Sequence, residues 1–236
     1  MERYDRQTKI KEVGLKGQEK LCAANICIIG AGGLGSQLLP IFVGAGVGKI
    51  TIVDFDEVAL TNLHRQTLYR ENQIGENKAL LAKEHLKDLN SQVQITALDT
   101  KLSPDDAAEL FAAHDLIIDA TDNFLAKFLI NKSAAQVNKP VIYASVRRFE
   151  GQVAYFEPAQ GYGLHSFAKE PSDEQAQQEY KDGVLPSQVS IIAAMQAQLA
   201  LGYIIGAHLK PKLGELIIFD GIDFTLQKLK LPQVSL

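Results

Sequence analysis

The segment 25–54 constrains the fold of this chain more than any other part of the sequence. It reads as an apolar strand, a glycine-rich turn, a helix and a second apolar strand that ends in Asp54. The turn follows the spacing G-x-G-x-x-G and carries four glycines, namely Gly30, Gly32, Gly33 and Gly35. Such glycines let the backbone approach a phosphate at the N-terminus of the next helix, and an acid about 20 residues later commonly binds a ribose. The segment predicts an adenine-nucleotide site, without deciding between NAD, FAD and ATP.

Strand and helix patterns alternate from residue 14 to about residue 145, which is typical of a parallel, doubly wound sheet. Strands are predicted at 25–30, 49–54, 93–98, 115–119 and 140–145, and helices at 14–23, 33–46, 77–90, 104–112 and 123–136.

The pattern changes after residue 145. A strand-like alternation at 148–156 is followed by a long polar stretch at 158–183, an apolar helix at 187–207 and two strands at 215–219 and 224–230. Long loops of this kind are usually functional. The sequence therefore predicts an α/β protein with a Rossmann-like, doubly wound, mostly parallel sheet that antiparallel strands extend in the C-terminal part.

Composition narrows the classes of function. The 236 residues suit one large α/β domain or two small ones, and 46% hydrophobic residues are enough for a buried core. A formal charge of −4 gives no reason to expect nucleic acid or an anionic membrane as partner. No uninterrupted apolar run reaches the ~18 residues of a membrane span, and no signal peptide opens the chain. We therefore expect a cytoplasmic protein.

The chain has two cysteines, Cys22 and Cys27. Their spacing matches neither a zinc site nor a C-x-x-C redox motif. Cys27 lies in an apolar strand and is predicted to be a small buried hydrophobic residue.

A second group of polar residues bears on which nucleotide is bound. Asp54 and Asp122 follow predicted strands, and ligands of open parallel sheets lie at the carboxyl ends of the strands. The connection after Asp54 contributes a further set of polar residues, namely Asn62, Arg65, Gln66 and Lys78. Two cations, an acid and amides are thus predicted to converge on the phosphates.

These residue types suit transfer of an adenylyl group. Attack on an α-phosphate builds negative charge on the departing pyrophosphate, which Arg65 and Lys78 would stabilise while Asp122 held a magnesium ion. An NAD-dependent oxidoreductase would instead need a proton donor near the nicotinamide, and no His or Tyr is an obvious candidate. The residues favour ATP.

Five ordered motifs together resemble the ThiF/MoeB/HesA family, the bacterial relatives of ubiquitin-activating enzymes. They are RYDRQ at 3–7, the GAGGLG turn, DFDEVALTNLHRQT, Lys78 and the TDN triplet at 121–123. The resemblance covers nearly the whole chain. It implies a single adenylation domain over 1–236, with a nucleotide-binding half at about 1–147 and a carrier-binding half, including a crossover loop, at about 148–236.

The resemblance also implies an activity and partners. Members adenylate the C-terminal Gly-Gly carboxylate of a ubiquitin-like sulfur-carrier protein, with ATP and magnesium, as homodimers. Sulfur transfer of the molybdopterin or thiamine type is the expected context, and the sequence does not choose between them.

Roles follow position by position from the resemblance. Gly33 would approach the phosphates and Asp54 the ribose, Asn62, Arg65 and Lys78 would bind phosphates, and Asp122 would hold magnesium. Arg6 matches an arginine that reaches into the partner subunit's site.

Several of these residues have a plainer interpretation. Asp122 and Asn123 could cap a helix, and Arg6, Arg65 and Lys78 could be solvated surface cations. His64 is predicted to be a polar filler, and Asp56 could only shape its loop. Arg147 and Arg148 could bind an acidic tail or lie on a solvated edge.

The chain departs from the family at three places. The two C-x-x-C pairs of zinc-binding members are missing near 161–164 and near the C-terminus, which argues against a structural zinc. The stretch 177–188, before the late helix, has no cysteine, so we expect the enzyme to stop at the acyl-adenylate. Lys127 stands where relatives often have arginine, which puts a phosphate role for it in doubt.

Two alternatives stay open at the level of sequence. The enzyme could adenylate a carboxylate that is not on a carrier protein. The chain could also be a nucleotide-binding scaffold partner without catalytic activity, although retention of Arg65, Lys78 and Asp122 argues against that.

Overall fold

A computed structural model of the chain describes residues 2–172 and 183–234, which form one eight-stranded sheet of order β3-β2-β1-β4-β5-β6-β7-β8. The strands are β1 Asn25–Ile29, β2 Lys49–Val53, β3 Gln94–Leu98, β4 Leu116–Asp119, β5 Val141–Arg147, β6 Glu150–Phe156, β7 Glu215–Asp220 and β8 Thr225–Lys230. The first five pair in parallel, and β6, β7 and β8 are added as antiparallel strands. The predicted fold class is confirmed.

The α-helices of the described residues follow the same alternation. They are α1 Asp5–Thr8, α2 Gly14–Ala23, α3 Gly33–Ala45, α4 Lys78–Leu86, α5 Pro104–Ala112, α6 Phe124–Gln136 and α7 Pro186–Ile205.

The central strand β1 is buried on both faces and divides two hydrophobic cores. Ile26 and Ile28 pack into the core on the side of α3 and α7, whereas Cys27 and Ile29 pack into the core on the side of α6. Strands covered by helices on both faces read as continuous apolar runs. Cys27 is therefore the buried hydrophobic residue that the sequence predicted.

Helix α7 packs against α3, β5 and β6. Among the described residues it is the helix whose length and composition would suit a membrane span, although polar residues interrupt its apolar sequence. Half of its most apolar window is buried inside the protein. Ala193, Ala197 and Ala200 on this buried side allow close approach to the sheet, so α7 is a core helix of this fold.

Two element boundaries differ from the sequence prediction for tertiary reasons. The helix predicted over 77–90 ends at Leu86, and Asn90 beyond it donates to the Tyr4 hydroxyl and to the Val43 carbonyl. The strand predicted from residue 148 begins at Glu150, because Arg148 adopts φ 54° in the turn between β5 and β6.

The polar stretch 158–183 is packed on the protein over its described part. Two 3-10 helices, Pro158–Gln160 and Leu164–Ser166, lie against α6. The Asn131 side chain of α6 accepts a hydrogen bond from Leu164 N at 2.9 Å. Residues 173–182, which include half of the cysteine-free stretch 177–188, lie outside the described residues.

Candidate functional site

A cavity of about 720 Å³ opens at the carboxyl ends of the parallel strands. Strands β1 and β4 are neighbours there, while the chain leaves them toward β2 on one side and β5 on the other. Such a reversal of strand order leaves a crevice in which doubly wound proteins bind ligands. The cavity is lined by every predicted site residue except Gly35 and Arg6, namely Gly30, Gly32, Gly33, Asp54, Asn62, Arg65, Gln66, Lys78, Asp122 and Asn123.

The four positions in the turn favour glycine for different structural reasons. Gly30 has φ +99°, and a Cβ on it would lie 2.7 Å from the Ala120 carbonyl oxygen. A Cβ on Gly35 would overlap the Gly30 carbonyl oxygen, so Gly35 allows α3 to approach its own turn and does not line the cavity. At Gly32 and Gly33 a Cβ would meet only side chains, and these two glycines leave room at the N-terminus of α3 for a ligand.

Asp54 is buried at the end of β2 and is held by backbone groups. One carboxylate oxygen accepts from Ala31 N at 2.7 Å and the other from Asp56 N at 2.8 Å. Burial raises the pKa of Asp54, and these two N–H groups and the Lys78 ammonium oppose the rise. Each oxygen keeps a second lone pair with which it can accept a hydroxyl.

Lys78 is buried at the start of α4, with its ammonium 3.0 Å from the Asp56 carboxylate. The Tyr69 hydroxyl lies 2.7 Å from the Ala31 carbonyl oxygen and 3.1 Å from that of Lys78, so its one proton is shared between them and ties α4 to the glycine turn. Asp56 has a side chain that is 53% exposed. The sequence left Asp56 as a loop-shaping residue, whereas the structure makes it the ion-pair partner of Lys78.

Arg65 and Gln66 lie across the glycine turn. The Cδ and Nε atoms of Arg65 would be 3.7 Å from a Cβ on Gly33, and Gln66 Nε2 would be 3.4 Å from a Cβ on Gly32. The Arg65 guanidinium donates to the Thr61 carbonyl at 3.2 Å. Gln66 is buried with its Oε1 atom unpaired within the described residues. An orphaned amide oxygen at the rim of a polar cavity fits a site that a ligand or water completes.

Asn123, and not Asp122, caps helix α6. The Asn123 side chain accepts from Ala126 N at 2.8 Å. The exposed carboxylate of Asp122 forms neither an ion pair nor a hydrogen bond with other parts of the described chain. The capping interpretation therefore applies to Asn123, and it leaves the Asp122 carboxylate available in the cavity.

A buried ion pair lies under the same turn and was missed by the sequence analysis. Lys127 Nζ is 3.2 Å from Asp119 Oδ1 and donates to the Ala144 carbonyl at 2.7 Å. With its ammonium bound in this way, Lys127 is a structural cation here and not one aimed at a phosphate. The sequence did contain a signal for Asp119, because it is an acid at the end of the apolar strand β4.

Arg6 lies far from the cavity of its own chain. Its short helix α1 is anchored at the other end of α3, where Gln7 donates to the Ala45 carbonyl at 3.0 Å and Tyr4 packs against Gly46. Because α3 has 13 residues, these two ends are about 20 Å apart.

The far wall of the cavity carries residues from later strands. Ser145, Val146 and Arg147 at the end of β5 line it together with Val184. On another wall, Lys101 stands 5.7 Å above the Phe55 ring. Arg148 does not line the cavity, so of the two arginines Arg147 is the one next to it.

The residues present fit a nucleotide and a magnesium ion. Magnesium in nucleotide sites is held by one or two carboxylates together with phosphate oxygens. Asp122 offers such a carboxylate, and Arg65 and Lys78 supply cations beside the glycine turn. Within the described part of the chain, no cluster of three or more His, Cys, Asp or Glu residues forms a metal site made of protein ligands alone.

Comparisons with known proteins found relatives of nearly the whole chain. A model of the ThiF family matches residues 4–235. The sulfur carrier protein adenylyltransferase of Thermus thermophilus is 35% identical over 235 residues, with 97% of this chain and 86% of the relative covered. The adenylyltransferase and sulfurtransferase MOCS3 of Culex quinquefasciatus is 36% identical over 97% of this chain, and the match spans 52% of that relative. The probable adenylyltransferase/sulfurtransferase MoeZ of Mycobacterium tuberculosis is 33% identical over 94% of this chain, and the match spans 58% of it.

Solved structures share the fold. A crystal structure of Escherichia coli MccB with ATP superposes with a TM-score of 0.87 at 22% identity, over 99% of this chain and 72% of that one. A structure of PaaA superposes with a TM-score of 0.80 at 24% identity, over 98% of this chain and 73% of that one. At these identities the likeness extends to the fold alone.

Proposed function

The chain belongs to the ThiF family, and on that premise we propose that it is an ATP-dependent adenylyltransferase. Its substrate is the C-terminal Gly-Gly carboxylate of a ubiquitin-like sulfur-carrier protein. The observation that carries the proposal is one cavity that unites the glycine turn, the cations Arg65 and Lys78, and the Asp122 carboxylate, which has no partner among the described residues. Relatives named as carrier-protein adenylyltransferases support the same activity.

The reaction forms one bond and breaks one. An oxygen of the carrier carboxylate attacks the α-phosphorus of ATP, the bond from that phosphorus to the bridging oxygen breaks, and pyrophosphate leaves with the electron pair. Arg65 and Lys78 stabilise the charge that grows on the leaving group. Magnesium, held by Asp122, supplies further neutralisation of the phosphates when it is bound.

Lys78 needs a partner when no phosphate is present, because it is buried. The Asp56 carboxylate is that partner, and its exposure lets it turn toward water when a phosphate replaces it. A lysine kept charged and aimed in this way is preorganised for the reaction.

The carrier tail lies along the far wall of the cavity in this proposal. An extended Gly-Gly tail has no bulky side chains and can lie against the wall that the end of β5 and Val184 form together. Arg147 stands at this wall. The proposed division of the domain follows, with a nucleotide-binding half at about 1–147 and a carrier-binding half at about 148–236.

We further propose a homodimer in which Arg6 acts in the partner subunit's site. The helix that carries Arg6 is anchored at the end of α3 that lies away from its own cavity. This position supports action of Arg6 in the site of the partner subunit. A cytoplasmic location and a role in sulfur transfer of the molybdopterin or thiamine type stay predictions.

ATP–pyrophosphate exchange tests the proposal directly. The purified protein is assayed with and without a Gly-Gly-ending carrier and with and without magnesium, beside Asp122→Ala and the exposed control Asp88→Ala. We expect exchange that requires carrier and magnesium, a loss of about 100-fold or more in Asp122→Ala, and no loss in the control.

The other outcomes separate the alternatives. Exchange without any carrier would identify a small carboxylate as the acceptor. Nucleotide binding without exchange on any carrier would contradict catalysis and support a scaffold.

A further inference from the structure

A buried ion pair outside the proposed set of phosphate-binding residues lies directly beneath the turn that carries Asp122. The side chains of Lys127 and Asp119 are 2% and 3% exposed, and their charged atoms are 3.2 Å apart. Removing two charges from water costs free energy that apolar residues of similar size would not cost. Such a pair is therefore weak evidence for stability, and its contacts indicate another role.

The Asp119 side chain contacts a residue that lines the cavity, Thr121. Asp119 Oδ1 accepts hydrogen bonds from Thr121 N at 3.1 Å and from the Thr121 hydroxyl at 2.7 Å. The same oxygen receives the Lys127 ammonium at 3.2 Å. The residue after Thr121 is Asp122, whose carboxylate has no protein partner of its own among the described residues. The direction of that carboxylate thus depends on how firmly Thr121 is held.

The Lys127 side chain also contacts the neighbouring strand β5. Its ammonium donates to the Ala144 carbonyl on β5 at 2.7 Å and lies 5.0 Å from the centre of the Tyr143 ring. Lys127 therefore links the end of β4 to β5, one residue before the cavity-lining Ser145.

The opposite face of the sheet has a neutral counterpart. Gln196 of α7 donates to the carbonyls of Asp119 and Ile142, at 2.7 and 3.0 Å. The β4–β5 junction is thus held from α6 by a charged group and from α7 by an amide. Of these two groups, Lys127 contacts the Asp119 side chain, which accepts from Thr121, whereas Gln196 contacts the Asp119 backbone carbonyl.

We propose that Lys127 is a positioning residue that acts through Asp119 and Thr121 to hold the Asp122 carboxylate where magnesium and the phosphates meet. This inference rests on the proposed function only for magnesium at Asp122. It assigns Lys127 a task in metal-dependent nucleotide binding and none in direct phosphate contact. Groups that hydrogen-bond directly to a metal ligand typically change metal affinity by about 10- to 100-fold. Lys127 acts through two further residues, so we expect an effect at the lower end of this range.

The test measures binding, so that it does not depend on turnover. Calorimetry with α,β-methylene-ATP, with and without magnesium, gives the factor by which magnesium tightens nucleotide binding. We expect this factor to fall about tenfold in Lys127→Met while the affinity without metal stays within about twofold. Lys127→Arg, which keeps the charge, is expected to retain most of the factor.

The matched control is Lys132→Met on the same helix. Lys132 also pairs with a carboxylate, that of Glu170 at 2.7 Å, but both side chains are about half exposed. Such an exposed ion pair contributes little free energy. We expect the magnesium factor of Lys132→Met to equal that of the wild-type protein.

A second variant guards against loss of folding. Lys127→Met leaves the Asp119 carboxylate buried without its cation, whereas the double variant Asp119→Asn with Lys127→Met buries no charge. We expect the folded double variant to show the same tenfold loss.

Three results would overturn the proposal. They are a folded double variant whose magnesium factor equals that of the wild-type protein, an equal loss in Lys132→Met, and a wild-type protein whose nucleotide affinity does not depend on magnesium. If the wild-type protein binds nucleotide with magnesium but exchanges no pyrophosphate, the proposed function fails while the positioning role is still read from binding.

Discussion

At the scale of single residues, the cavity is built from polar side chains that are buried and individually held. Asp54 accepts two backbone N–H groups, Lys78 pairs with Asp56, and Lys127 pairs with Asp119. Such preorganised groups do not have to reorganise when charge develops in a reaction. The exposed Asp122 has no such partner among the described residues, which is consistent with the proposal that it holds magnesium.

The first prediction concerns the proton equilibrium of Asp54. Burial raises its folded-state pKa above the ordinary value of 3.8, so the folded state binds this proton more tightly than the unfolded state does. The resulting stability is fully present below pH 3.8 and is lost as pH rises through the folded-state pKa. We expect the free energy of unfolding of the wild-type protein, relative to Asp54→Asn, to fall with rising pH over this window and then to level off.

Urea denaturation between about pH 3 and pH 7 measures this difference. Asp88→Asn at an exposed site serves as the control and should give a difference that does not change in this way. A difference for Asp54→Asn that grew with pH would mean that the hydrogen bonds to the carboxylate outweigh its burial.

At the scale of elements, the sequence of helix α3 meets two structural requirements. Its first turn must approach the strand before it, and its remaining turns must cover the sheet with apolar side chains. Gly35 meets the first requirement, and residues such as Leu38, Leu39 and Phe42 meet the second. Gly46 with φ +80° ends the helix in a left-handed conformation.

The second prediction compares two glycines of α3. In Gly35→Ala the new methyl group would overlap the Gly30 carbonyl oxygen, so the backbone has to shift at a cost of about 1–3 kcal/mol or more. In Gly44→Ala the methyl group has nothing within 4 Å, and we expect a gain of roughly 0.5–1 kcal/mol from helix propensity.

Thermal and urea unfolding of both variants check the expectation, and nucleotide affinity should fall only in Gly35→Ala. Equal effects at the two positions would mean that the turn has no special need for glycine at residue 35.

The segments where zinc-binding relatives would carry their cysteines are joined here by hydrogen bonds. Val234 N donates to the Gly161 carbonyl at 2.9 Å, and Gln233 donates to the Gln160 carbonyl at 2.8 Å. The buried Asn131 side chain accepts from Leu164 N and so fastens the same segment to α6.

The third prediction is that this network performs the stabilising task without a metal. Asn131→Ala leaves the buried Leu164 N–H unpaired and should lower the free energy of unfolding by about 1–3 kcal/mol. The exposed control Asn72→Ala should change it by less than about 0.5 kcal/mol. A chelator should leave the unfolding temperature of the wild-type protein unchanged, and a decrease would reveal a bound metal ion.

At the scale of the whole molecule, the cavity and the N-terminal segment lie at opposite ends of α3. Arg6 does not line its own cavity, which is consistent with the proposal that it acts on another copy of the chain. The antiparallel strands β6, β7 and β8 continue the same sheet beyond β5, into the half of the chain that we propose binds the carrier.

The fourth prediction is complementation between inactive variants. Arg6→Ala and Asp122→Ala should each lose pyrophosphate exchange, whereas a mixture reassembled in equal amounts should recover about a quarter of the wild-type activity. Random pairing makes half of the dimers mixed, and one of the two sites in each mixed dimer receives both Arg6 and Asp122. Arg6 acting in its own chain would give no recovery, and a protein that elutes as a monomer would contradict the dimer itself.

The sequence by itself determined whatever depends on neighbours along the chain. The strand–helix alternation, the glycine turn and the helix start at Asn123 are local patterns, and the order of the predicted elements was confirmed throughout the described residues. The convergence of Asp54 and Asp122 was also predictable, because parallel strands bring their carboxyl ends to one edge.

Only the tertiary structure decided which charged groups meet. Lys127 pairs with Asp119 and donates to Ala144, and Asp56 is the partner of Lys78. The helix that carries Arg6 is anchored at the end of α3 that lies away from the cavity. The physical reason is that a hydrogen bond or an ion pair needs its atoms within about 3–4 Å of each other. Distances of that size are fixed by how helices pack across the sheet, and spacing along the chain carries no record of that packing.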